Sequence, residues 1–226
     1  MNIYHWIIDT QDDFMSNNEK YKGKLPIAGA EVIISNLEKL IQIARKKGIP
    51  IIQTGDLHTS ESKELSATPD YVNTFPEHCL QYTRGAEFIP ATKLNHPKII
   101  DWRDKSINLE EISEEKEIII YKDEFDVFSG NPYTDEIVNA LKKSHKMDYA
   151  IVSGVATDFC VHYAVMGLLK RGVIVYVPLD ATKPISDSSS NYREWQKRGA
   201  QLTTTKQIPH IINKILENER NRFCNC

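Results

Sequence analysis

No apolar run in this 226-residue chain approaches the roughly 20 residues that a bilayer-spanning helix needs, so no membrane partner is expected. The opening MNIYHWIID lacks a charged segment, an apolar stretch and a small-residue cleavage site in that order, and reads as a first strand rather than a secretory signal. Charge of one sign is not in excess: 28 Lys and Arg stand against 31 Asp and Glu, a net charge of -3. A nucleic-acid partner, which usually calls for a basic stripe, is therefore not expected. The cluster Arg45-Lys46-Lys47 closes a predicted helix, where cations suit the dipole. Cysteine is scarce, and Cys79, Cys160, Cys224 and Cys226 show none of the paired CxxC spacing of a zinc finger. Reduced thiols in a cytoplasmic protein are the expectation. Internal repeats and low-complexity tracts are also absent.

What is present is alternation. Short β-rich runs at Ile3 to Ile8, Ile49 to Ile52, Glu117 to Tyr121, Tyr149 to Ser153, Val173 to Val177 and Gln201 to Thr204 are separated by longer stretches. Helical spacing marks Ala30 to Lys47, with Ile33, Ile34, Leu37, Leu40, Ile41 and Ala44 on one face and Gly48 as the stop. Further helices are predicted near Asn108 to Ile112, Asp135 to Ser144, Asp158 to Arg171, Ser190 to Lys197 and Pro209 to Glu217. The order predicts an α/β fold: a single-domain, doubly wound, mainly parallel sheet with helices on both faces. The domain is expected over 1–218, with a flexible tail at 219–226 that carries Cys224 and Cys226 without an assigned role. One region, at about 57–116, is rich in prolines and mixed charge; a connection that long inside a compact domain is usually functional or disordered.

In such sheets ligands bind beyond the carboxyl ends of the strands. Asp9 ends the first strand, Asp56 and His58 follow the second, Lys122 ends the next, and Cys160 follows the one after. Each has an ordinary reading as well. A cysteine in an apolar helix is commonly core, Asp9 is also a turn former, and Lys122 alone is a surface residue. Together they supply a nucleophile, a base and a stabilising cation. Cys160 falls in the first turn of a helix, where the dipole is expected to lower a thiol pKa, and the Gly154-Val155-Ala156-Thr157-Asp158 turn can aim N–H groups at one point. His162 is expected to point away along the helix. Asp56-x-His58 is a weak metal motif; His78, from the long loop, adds a third candidate ligand beside Cys79, and such a set suits Zn²⁺, Fe²⁺ or Mn²⁺.

Five segments, IIDTQDDF (7–14), TGDLH (54–58), FPEHCLQYTRGAEFIPAT (75–92), YKDEFDVFSG (121–130) and GVATDFCVHYAV (154–165), resemble those of the isochorismatase-like cysteine hydrolases, and most closely the nicotinamidases; LDAT (179–182) falls where the family has a similar segment. The resemblance implies the isochorismatase-like hydrolase fold and a catalytic triad of Asp9, Lys122 and Cys160. It implies one divalent metal ion, zinc first, on Asp56, His58 and His78. It further implies a cis peptide between Val155 and Ala156, an oxyanion hole from the N–H groups of Ala156 and Cys160, and substrate contacts from Phe14, Phe75 and Val155. The expected reaction is hydrolysis of a small-molecule amide, nicotinamide to nicotinate and ammonia, by the Cys160 thiolate through a thioester, as in pyridine nucleotide salvage. Another small amide, a carbamoyl compound or a vinyl ether is the alternative substrate, and a non-catalytic binding protein on the same fold is a third reading. A homo-oligomer is compatible with the resemblance. Departures cluster at the substrate: Phe75 stands where nicotinamidases usually have tryptophan, Tyr82 and Arg84 replace the Gly and Pro of a QGTPGAE pattern, and the segment after Lys122 follows less characterised members.

Overall fold

A computed structural model describes residues 2–224. Strand β1 (Ile3–Ile8) is buried on both faces, as its largely apolar sequence, interrupted by His5, suits a central parallel strand. The chain then makes the short helix α1 (Asp12–Met15) and a small hairpin of β2 (Asn17–Asn18) and β3 (Tyr21–Lys22). Helix α2 (Ile34–Lys47) follows one 3₁₀ turn at Ala30–Ile33 and buries Leu37, Leu40, Ile41 and Ala44. It ends as predicted at Gly48, whose φ of 65° is left-handed.

Strand β4 (Ile51–Asp56) runs further than its sequence pattern suggests, so Asp56 is its last residue rather than a loop residue. Within the long region lies a strand that the sequence did not reveal, β5 (Lys98–Ile100), before α3 (Leu109–Glu114) and β6 (Glu117–Lys122). Helices α4 (Val127–Gly130) and α5 (Thr134–Lys143) lead to β7 (Tyr149–Val155). The second half continues with α6 (Cys160–Lys170), β8 (Ile174–Pro178), β9 (Thr182–Lys183), α7 (Ser189–Lys197), β10 (Gln201–Thr203) and α8 (Ile208–Cys224). Helix thus continues into the segment expected as a tail; Cys226 lies outside the described residues.

The main sheet has the order β10-β8-β7-β1-β4-β6-β5, with β9 also on β7, and its pairings are parallel. Ile3, Ile7, Ile51 and Ile119 face α2 and α8, while Tyr4, Trp6, Ile8 and Ile118 face α3, α5, α6 and α7. The sheet is doubly wound with helices on both faces, as expected. The chain switches sides of β1 between β4 and β7, so a crevice opens at the carboxyl ends of those strands.

Candidate active site

Three strand ends meet in that crevice. Asp9 follows β1 with φ at 47°; its N–H donates to Thr54 O at 3.1 Å and its Oδ1 accepts from Thr54 Oγ1 at 2.6 Å. Asp56 and Lys122 are register partners across β4 and β6, so their side chains leave the sheet on one face. The Lys122 ammonium lies 2.9 Å from Asp9 Oδ2, hydrogen-bonds Asp56 Oδ1, and sits 3.8 Å from Cys160 Sγ. Lys122 is fully buried, which a lysine tolerates only when paired. Burial disfavours its charge, but Asp56 and Asp9 outweigh this and hold it well above the ordinary lysine range.

Cys160 opens α6, yet its thiol is not lowered as its helix position suggested. Burial pushes it well above the ordinary range; Lys122 pulls down, and Asp9 and Asp56 push up. Asp9 is also raised, by burial first and by Asp56, against Lys122. The resting centre therefore holds a thiol beside a carboxyl that accepts a proton readily. The Val155–Ala156 peptide bond is cis, and among the described residues the N–H groups of Ala156 and Cys160 donate to no acceptor although both residues are buried. His162 turns away, as expected, and its Nδ1 accepts from Trp195 Nε1 at 3.0 Å.

Beside the thiol stands a second cluster. Gln11 clamps the Asp56 backbone, its Nε2 donating to Asp56 O and its Oε1 accepting from Asp56 N, both at 2.7 Å. Asp56 Oδ2 then lies 4.0 Å from His58 Nε2 and 3.7 Å from His78 Nε2, and Glu64 Oε1 lies 3.9 Å from His78 Nε2. Ligand atoms of Asp56, His58, Glu64 and His78 all fall within 4.8 Å of one another. Asp56 Oδ2 and His58 Nε2 are buried without a hydrogen-bond partner, which suits them to act as ligands of a cation. Two imidazoles and two carboxylates fit a divalent ion such as zinc. Burial works against the charge on Asp56, yet Lys122 and both histidines hold it well below the carboxylate range. Burial alone would lower His78, but Asp56 raises it, and burial with the Asp56 charge pushes Glu64 up to about 8.

Phe14 and Phe75 line the cleft over Cys160, together with Phe125, Phe159, Leu25, Ile27 and Ile185. The Phe75 and Phe159 rings meet edge to face at 5.2 Å, and Phe125 lies 6.0 Å from Phe159. Val155, the last residue of β7, is buried in the apolar layer, and its neighbour Ala156 lines the cleft. Cys79 is buried behind His78, its N–H donating to Asp13 Oδ2 at 2.7 Å. Sequence reasoning missed Glu64, Thr54 and Phe159. Glu64 carries no local signal, because its segment has no periodicity; Thr54 and Phe159 lay inside quoted motifs without a role.

The isochorismatase domain family matches residues 5–207. Among relatives, the nicotinamidase/pyrazinamidase of Mycobacterium tuberculosis is 27% identical over 80% of this chain and 86% of its own. The nicotinamidase of Acinetobacter baylyi is 26% identical over 89% and 92%. Three solved structures share the fold. The pyrazinamidase of Pyrococcus horikoshii in complex with zinc has a TM-score of 0.68 at 24% identity, covering 90% of this chain and 99% of that one. PnC1 from L. infantum in complex with nicotinate scores 0.67 at 20%, covering 91% and 93%. The N-carbamoylsarcosine amidase of Thermoplasma acidophilum scores 0.66 at 17%, covering 91% and 97%. The chain belongs to the isochorismatase family and, with nicotinamidases as relatives over nearly their whole lengths, is an amide-hydrolysing enzyme of it.

Proposed function

We propose that the enzyme is a metal-dependent nicotinamidase, hydrolysing nicotinamide to nicotinate and ammonia through a thioester on Cys160. The observation that carries this reading is the Cys160 thiol 3.8 Å from the Lys122 ammonium, sharing Asp56 with a four-ligand cluster at the same cleft. Asp56, His58, His78 and Glu64 would hold a divalent ion, zinc first with Fe²⁺ or Mn²⁺ suited to the same donors, which would supply a positive centre for an electron-rich group of the substrate.

The chain's own residues account for the rest. Asp9 takes the Cys160 proton, and Lys122 stabilises the charges that result. The thiolate attacks the amide carbon, and the unpartnered N–H groups of Ala156 and Cys160 receive the developing oxyanion. Asp9 returns the proton to the leaving nitrogen, which departs as ammonia and leaves the thioester. It then takes a proton from water as the oxygen attacks, and gives it back to the sulfur when the acid leaves. A carboxyl raised above its usual range is suited to this shuttling.

The cleft walls favour a flat neutral ring. Phe14, Phe75, Phe125 and Phe159 surround it, and its lining carries Asp56 and Glu64 but no Lys or Arg. A substrate bearing its own carboxylate, such as a carbamoyl amino acid, finds no cationic side chain in that lining, among the described residues, to pair with it. Reduced, zinc-loaded protein is expected to release ammonia from nicotinamide and pyrazinamide at least tenfold faster, by kcat/KM, than from N-carbamoylsarcosine. The reverse order, or no release from either ring amide, contradicts the assignment. A buried thiol nucleophile also suits the reducing cytoplasm, where deamidation would serve pyridine nucleotide salvage.

A further inference from the structure

His58 and His78 are anchored differently behind their free nitrogens. His78 Nδ1 donates to the Pro76 carbonyl at 2.7 Å, a neutral partner. His58 Nδ1 donates instead to Asp123 Oδ1 at 3.0 Å. That same oxygen accepts from Ser62 Oγ, which in turn accepts from Thr59 N at 2.9 Å. The Asp123 N–H donates to Gly130 O at 3.0 Å, so the backbone beneath the carboxylate is held as well. His58 is fully buried, whereas the Asp123 side chain is 23% exposed. Donation from Nδ1 fixes the tautomer and leaves the Nε2 lone pair bare; that atom is buried without a hydrogen-bond partner, 4.0 Å from Asp56 Oδ2.

We propose that Asp123 is a positioning residue for metal binding: it fixes the His58 ring with Nε2 facing the ligand cluster and makes it a stronger donor, and Ser62 locks the carboxylate in place. The proposal rests on the metal-site reading above. A carboxylate behind a ligating imidazole orients the ring and raises its basicity, which a backbone carbonyl does less strongly. Asp123 follows directly on Lys122, so one strand end supplies both the cation beside the thiol and the anion behind the metal ligand.

The test compares Zn²⁺ affinity of metal-stripped wild type, Asp123→Ala and Asp123→Asn by competition with a chromophoric chelator at one fixed pH. Melting temperatures of the metal-free proteins are taken alongside. Asp123→Ala is expected to weaken zinc binding by roughly 10–100-fold, with the metal-free melting temperature little changed. Asp123→Asn keeps an acceptor oxygen for Nδ1 and Ser62 and is expected to recover most of the affinity. Should Asp123→Ala not fold, Asp123→Asn carries the test, with a severalfold loss of affinity at unchanged melting temperature as the supporting result and wild-type affinity as the overturning one. Unchanged affinity in Asp123→Ala overturns the positioning role and leaves the metal site standing. Failure of the wild type itself to bind zinc overturns both.

Discussion

Buried titratable groups in this protein owe their protonation to burial and to neighbours brought close from other parts of the chain. Glu64, pushed up to about 8 by burial and by Asp56, holds a proton at neutral pH before metal enters, and Asp56 raises His78 from its ordinary value as well. Zinc needs both deprotonated, so binding at pH 7 is expected to release protons, and affinity to climb with pH and level off above about 8. Calorimetry in buffers of different ionisation enthalpy measures the release; an affinity independent of pH between 6 and 8 contradicts it. His5 is the opposite case. Its Nε2 lies 2.9 Å from Ser153 Oγ, its Nδ1 has no partner, and burial lowers its pKa to about 3. The unfolded chain binds that proton near pH 6.5 and the folded one does not, so stability falls as pH drops below 6.5 and this loss levels off below about 3. At pH 5 the loss is about 2 kcal/mol. Other groups, Glu64 among them, titrate alike in wild type and His5→Leu, so urea unfolding at pH 8 and pH 5 is expected to give wild type a change about 2 kcal/mol less favourable than that of the variant; equal changes contradict it. Asp9, Asp56, His58, His78, Lys122 and Cys160 were legible in the sequence because each stands at a strand end or in a short motif. Glu64 was not, since only the folded loop carries it to His78.

Elements were legible where a period ran long enough to read. Helix α2 and its Gly48 stop, and the central strands β1, β4, β6 and β7, follow from apolar spacing and length. Strand β5 has three residues and no alternation, and is recruited only by its partner β6. Helix α6 begins at Cys160 rather than Asp158 because the Phe159 backbone is non-helical, at φ -125° and ψ -104°, and the Asp158 carboxylate accepts from Ile185 N at 2.9 Å and Ser186 N at 2.8 Å. That contact fixes the Ile185 wall of the cleft, which no local pattern announces. The approach of β7 to β1 depends on Gly154, with φ at 116°, where a Cβ would fall 2.1 Å from Ile8 O. Gly154→Ala is therefore expected to cost more than about 2 kcal/mol. Gly48→Ala, with φ at 65° and nothing within 4 Å, is expected to cost about 1 kcal/mol. Thermal unfolding of the two variants checks the order, and equal melting temperatures contradict the close-approach argument.

At the scale of the molecule, two apolar layers on either face of one parallel sheet hold the strands rigid, and the chemistry is set along their carboxyl edge. The fold class was legible from the alternation of elements alone; the strand order was not, because β5 and β9 are too short to read. No helix among the described residues is long and apolar enough to cross a membrane. Residues far apart in sequence, Asp9, Asp56, Lys122 and Cys160, meet because β1, β4, β6 and β7 end at one level. The thiol is the point on which the chemical reading turns. The measurement that tests it most directly is intact-protein and peptide mass spectrometry of zinc-loaded enzyme, acid-quenched during turnover of nicotinamide, with Cys160→Ala in parallel. A nicotinoyl adduct on the peptide carrying Cys160, with no ammonia release by Cys160→Ala, is the expected result; near-normal turnover by Cys160→Ala would contradict the account.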